Sequence, residues 1–228
     1  MPIEDLVTVK RSKRARRVAL RLDPVERVIN LVVPERMPLH KAYHFAQDHE
    51  DWVRETLAKL EPPIAFKNGT ILPVFGDHLT LSIENAPDQK RIKIKKENDI
   101  IHITTDHTDP SNRIRAYLKR LAREGLADMA SEKAESIGKA ISSVTVRDTK
   151  SRWGSCAQDG SLSFSWRLIF APYPAIDYVV AHEVAHLVHM DHSRAFWTLC
   201  RDISHDYMEG KYWMQNHGNE LMRYGSQQ

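Results

Sequence analysis

Residues 182–192 read HEVAHLVHMDH, four histidines in eleven positions, and this stretch constrains the chain more than any other. The segment that carries it, AIDYVVAHEVAHLVH, is apolar on nearly every side, which predicts a buried helix. Imidazoles in such a helix need partners, because an unpaired polar group in an apolar interior costs a few kcal/mol. His182 and His186 are spaced i, i+4, on one helix face a turn apart, where both rings can reach one ion at about 2.0–2.1 Å. Glu183 borders the same face and is placed to act as a general base on water beside the ion rather than as a ligand. The chemistry these residue types imply is hydrolysis of an amide.

A catalytic zinc needs a third protein ligand, and two histidines compete for the position. On a continuous helix His189 lies about 10.5 Å along the axis from His182, too far for one ion to bridge. His192 reaches the ion if the helix ends near His189 or Met190 and the chain turns back. His189 is then the turn residue, since histidine tolerates positive φ better than most non-glycine residues. The site read this way is H-E-x-x-H-x5-H, with His182, His186 and His192 holding one Zn2+ per chain and Glu183 as catalytic base. From the composition of this chain, chance would place an H-E-x-x-H somewhere about 4% of the time and the third histidine with it about 0.2% of the time, so the pattern is a signal. Alternatives stand beside it: Glu209 or Glu220 as third ligand, a closed structural site completed by Asp191 or His205, or another divalent metal on the same imidazoles.

The 228 residues, 42% hydrophobic, can fill a real core, and only two cysteines are present, in no CxxC arrangement. No run of eighteen apolar residues exists and the amino terminus has no hydrophobic leader, so the expected address is cytoplasmic with no membrane partner. Lys10, Arg11, Lys13, Arg14, Arg16, Arg17 and Arg21 crowd together near the start. The ordinary reading of that cluster is a solvated strand face, because Val18, Leu20 and Leu22 alternate with Arg17, Ala19 and Arg21; the sharper reading is a surface for nucleic acid.

Along the chain, RVALRL and VINLVV read as a hairpin, and helical spacing follows over about 38–60. HLTLSIE, RIKIK and IIHIT read as strands separated by the turn compositions NAPDQK and ENDI, so the first hundred residues are mostly antiparallel β with one helix. The polar HTDPSN, 107–112, is the expected boundary between a β-rich region, 1–108, and a second region, 109–228. A long helix with an apolar stripe from Ile114 to Ile137 follows and stops at Gly138. SSVTVRD and SLSFSWRLIF are strands around a turn at SRWGSC, and SLSFSW is expected to offer an edge to an extended peptide. Ser193 is an N-cap for the next helix, Tyr178 shares a face with His182, and Phe196 and Trp197 read as core. Met208 or Met214 is a candidate floor beneath the site, and Ser155 or Cys156 a weaker candidate nucleophile.

KSRWGSC followed by GSLSFSWRLIFAPYPAIDYVVAHEVAHLVHMDHSRAFW resembles the YgjP-like metallopeptidases, small zincins; RRVALRL, PLHKAYHFAQDHEDWVRETL and LPVFGDHLTL resemble the family too. The resemblance implies an α+β fold whose zincin-like core packs the H-E-x-x-H helix beside a small sheet. It also implies zinc on His182, His186 and His192, a catalytic Glu183, and a peptide or protein substrate. Asp191 departs from the asparagine expected before the third histidine, where a carboxylate orients His192 or sits in solvent. No residue is assigned to substrate binding, and cleavage specificity and oligomeric state are not legible.

Overall fold

The computed structural model describes residues 1–87 and 91–225, so the last three residues of the turn read at NAPDQK lie outside the described residues. Two compact units form, Met1–Pro63 and Ile64–Gln228. In the first, α1 (Ile3–Leu6) precedes β1 (Val7–Ser12), β2 (Ala19–Asp23) and β3 (Val28–Pro34). The hairpin is present, β2 antiparallel to β3 with Leu20 opposite Leu31. β3 is the middle strand, however, and β1 pairs with its other side in parallel, Val9 opposite Leu31. Strand alternation sends Ile29, Leu31 and Val33 into a core with Ile3, Val7, Ala42, Ala46 and Val53. Lys10 and Arg21 have the opposite parity and are exposed, as a solvated strand face requires. Arg11 is a structural member of the basic cluster, donating to the carbonyls of Glu35 at 2.6 Å and Met37 at 2.9 Å.

The stretch read as one helix over 38–60 is two, α2 (Leu39–Gln47) and α3 (Glu50–Ala58). At the break the backbone N–H of His49 turns to Ala46 O, and its ring Nδ1 occupies Phe45 O at 2.9 Å. Phe45 O is the acceptor a continuous helix would have offered to that N–H, so the ring replaces the helical bond.

The second unit opens with β4 (Ile71–Val74), β5 (Asp77–Asn85), β6 (Lys93–Glu97) and β7 (Ile100–Thr105), in the order β4-β5-β7-β6 with β5 parallel to β7. Leu79, Leu81, Ile101 and Ile103 share one core with Ile114, Leu118, Ala122 and Leu126 of α4 (Ser111–Ser136). The polar segment 107–112 therefore lies inside this unit, and the division of the chain falls after Pro63 rather than near 108. α4 ends as read: Gly138 takes φ +65° and Lys139 N–H returns to Ala134 O at 2.9 Å.

β8 (Ser143–Arg147), β9 (Gly154–Cys156) and β10 (Ser161–Ser165) form a second sheet in this unit, ordered β8-β10-β9. SLSFSW is thus covered on both sides, β8 parallel and β9 antiparallel, and β8 and the short β9 are the edges. α5 (Tyr173–Ala185), α6 (Arg194–Asp202) and α7 (Tyr207–His217) complete the α+β fold, with α5 lying beside β9. As its all-round apolarity requires, α5 buries Ile176, Val180, Ala181, Val184 and Ala185 together with Asp177 and Glu183. Among the described residues no helix is long and apolar enough to cross a membrane.

α7 reaches α5 through Gly210, where an added Cβ would stand 2.1 Å from Pro174 O and 2.6 Å from Tyr178 Cβ. Gly210→Ala must push the two helices apart, and overpacking of this kind costs about 1–3 kcal/mol. Calorimetry should show Tm lowered by about 2–4 °C per kcal/mol lost. An unchanged Tm would mean that the contact is soft.

Candidate metal centre

α5 ends at Ala185, with His186 as its C-cap, earlier than the sequence suggested. The turn that follows contains no positive φ, so His189 does not serve as a left-handed turn residue. Its backbone has a different part: His189 O accepts from His186 Nδ1 at 2.9 Å. A carbonyl only accepts, so Nδ1 carries the proton and Nε2 of His186 is left with its lone pair free. His192 lies just before α6, whose first turn is capped by Ser193 Oγ accepting from Phe196 N–H at 3.4 Å, as read.

These local features bring three imidazoles together. His182, His186 and His192 each offer a ring nitrogen, all within 4.8 Å of one another. Nε2 of His182 and Nε2 of His192 stand 3.2 Å apart. Two nitrogens held at about 2.0–2.1 Å by one tetrahedral ion are about 3.3–3.4 Å apart, so this pair is spaced as two ligands of one ion are. His182 Nδ1 is buried without a hydrogen-bond partner, so no protein acceptor offsets the cost of burying this ring. The donor set, three imidazoles and no thiolate or carboxylate, fits zinc and other borderline divalent metals.

Beneath the imidazoles lies the fully buried Phe196, its ring centroid 4.9 Å from His182, 4.5 Å from His186 and 4.8 Å from His192. Phe196 is core, as its sequence suggested, and it is also the floor. Met208 is 73% exposed and is not beneath the site. Tyr178 packs its ring 6.1 Å from His182. Trp197 closes the other side, 5.6 Å from His182 and 5.4 Å from His192. Above Trp197 and Tyr207 sits Lys211, a cation the sequence did not single out because a lone lysine on a helix carries no pattern.

Glu183 is buried, and burial pushes its carboxyl up to about 8, against the pull of the Arg152 charge. Burial likewise lowers His182 to about 4, helped by the charges of His186, His192 and Lys211. In the metal-free chain burial thus disfavours the charged form of both groups. The carboxylate lies against the backbone of Gly154, where a Cβ would meet Glu183 Cγ and Oε1 at 2.5 Å. Any larger residue there would force the Glu183 side chain to move.

Of the other candidate ligands, His205 and Glu220 are engaged elsewhere, and Glu209 is exposed and outside the three-histidine group. His205 is paired through Nδ1 with the buried Asp177 at 3.1 Å, and Asp177 also receives Lys133 Nζ at 2.6 Å. Glu220 pairs with His217 at 2.7 Å. Asp191 is exposed, and its hydrogen bond from Ser193 holds its carboxyl below the usual range. Arg167 is buried and ion-paired with Asp148, so its charge is already compensated away from the imidazoles. Cys156 has its thiol raised to about 11, first by burial and then by the nearby carboxylates, which opposes a thiolate nucleophile.

The profile of the YgjP-like metallopeptidase domain matches residues 16–217. The chain belongs to the YgjP-like metallopeptidase family. No curated protein and no solved structure matches it. For this YgjP-like chain the family implies a metal, and the three-histidine cluster is the group among the described residues that could hold one.

Proposed function

We propose that this chain is a zinc-dependent peptidase in which His182, His186 and His192 hold one ion and Glu183 is the general base. The observation that carries the reading is three convergent imidazoles beside a buried, raised carboxyl, in a chain of a metallopeptidase family. When bound, zinc supplies a Lewis acid that makes water more acidic and polarises the carbonyl under attack. Three protein ligands leave a coordination position open, which separates a catalytic site from a closed structural one.

The chain's own residues supply the rest. Glu183 accepts the proton of the attacking water and returns it to the departing amine, a task that favours a carboxyl whose pKa lies near the operating pH. Phe196 keeps the imidazole floor dry, and His189 O sets the tautomer of His186. β9 pairs with β10 on one side only, so its other edge can hold an extended peptide by strand addition next to Glu183. The expected test result is hydrolysis of an unfolded protein such as casein that is lost on chelation and restored by zinc. Hydrolysis indifferent to chelation would overturn the reading.

Gly154 provides a finer test. In Gly154→Ala the new Cβ displaces the Glu183 carboxyl, and a misplacement of about 1 Å costs on the order of 10²-fold in rate. Zinc content should remain that of the parent, because the atoms nearest the new Cβ all belong to Glu183, which is not a ligand in this reading. A Gly154→Ala variant with parental kcat would show that Glu183 does not act from its observed place.

A further inference from the structure

Lys211 is half-buried on α7, and its surroundings are unusual for a structural lysine. Its Nζ donates to Tyr207 Oη at 3.3 Å and sits 4.9 Å above the Trp197 ring and 5.4 Å above the Tyr207 ring. Among the described residues no carboxylate lies within 4.0 Å of it. The buried Lys133 is treated differently, with Asp177 at 2.6 Å and Ile203 O at 2.6 Å. An ammonium has three donors, so two of those on Lys211 have no partner among the described residues, and the aromatic faces fix the group in position. The Trp197 ring that supports it also packs against His182 and His192, so the cation stands one ring away from the imidazole cluster. Next to it on α7, Met208 and Tyr212 are 73% and 64% exposed and one turn apart, an apolar rim beside an unpaired charge.

We propose that Lys211 is a recognition cation for a carboxylate of the peptide substrate, held at the rim of the histidine site between Trp197 and Tyr207. The inference rests on the peptidase reading and adds a substrate class to it: peptides that present an anionic group near the cleaved bond, with apolar neighbours lying over Met208 and Tyr212. The carboxylate is either that of an acidic side chain or that of the chain's carboxyl terminus.

Calorimetric titration separates these sources, using the full zinc-loaded chain with Glu183→Gln so that binding is read without turnover. Three acetylated alanine pentapeptides serve as probes: one amidated, one with a free carboxyl terminus, and one amidated with a central glutamate. The expected result is that at least one anionic peptide binds about tenfold or more tightly than the neutral amide, about 1.4 kcal/mol. Whichever does so identifies the source. Adding Lys211→Met should bring the preference to within about twofold while leaving the Kd of the neutral peptide unchanged, and Lys211→Arg should keep the preference. Equal binding of all three peptides, or a preference that survives Lys211→Met, overturns the proposal and leaves the peptidase reading standing. Binding of none of the three overturns the proposal, and casein hydrolysis by the zinc-loaded wild type then decides the peptidase reading separately.

Discussion

Glu183→Gln is expected to keep one zinc per chain and to lower peptide hydrolysis by about 10²–10⁴-fold, the range a positioned general base contributes. The amide fills the same space against Gly154 and cannot accept the proton of water, so binding and base catalysis separate in this one variant. Paired measurements of kcat and metal content check it, and a loss of less than about tenfold would assign the base to another group. The same substitution has a signature in the metal-free chain. Burial raises the Glu183 carboxyl from 4.5 to about 8, so its neutral form favours the fold. That contribution is complete below about pH 4.5 and is lost as pH rises through about 8. Metal-free wild type should therefore lose a few kcal/mol between pH 5 and 9 that the glutamine variant retains, a difference readable as diverging Tm values. Parallel Tm curves would show that the carboxyl is not desolvated. A bound cation reverses the local balance by favouring the carboxylate, so zinc should narrow the gap.

His192→Ala is expected to weaken zinc binding by at least about 100-fold, more than the 10–100-fold typical of losing a group that merely orients a ligand. His192 is the ligand most dependent on chain geometry, since it lies outside α5 and its Nε2 must come back to within 3.2 Å of His182. His189→Ala should bind zinc as the parent does, because His189 contributes its backbone carbonyl and alanine keeps it. Competition against a chromophoric chelator reads both affinities. If the two variants weaken zinc equally, the H-x5-H assignment is wrong.

The helix, the cap and the meeting of three imidazoles were legible because they are written in local spacing. The i, i+4 pair His182 and His186 needs only a helix, and Ser193 needs only the helix start that follows it. The parallel pairing of β1 with β3 was not legible, since a pairing across distant residues leaves no mark in the alternation of either strand. The early end of α5 was hidden for a related reason. LVH continues the apolar pattern, yet the backbone tightens there, Leu187 and Val188 N–H returning to Val184 and Ala185 O three residues back, with the His186 ring on His189 O. Phe196 could be read as core but not as a floor, because its three contacts are set by where α6 lands on α5. Gly154 was read as part of a turn, but it opens strand β9, and its role, leaving the space that Glu183 occupies, exists only once β9 meets α5. Lys211 carried no signal at all: its meaning lies in two rings supplied by Trp197 and Tyr207 and in the lack of a carboxylate nearby among the described residues.

Elemental analysis of the wild-type chain, purified without added metal, tests the central claim most directly. The account predicts about one zinc per chain, removable by chelation and restored by one equivalent. A chain that stays metal-free when zinc is supplied would contradict it, whatever its family.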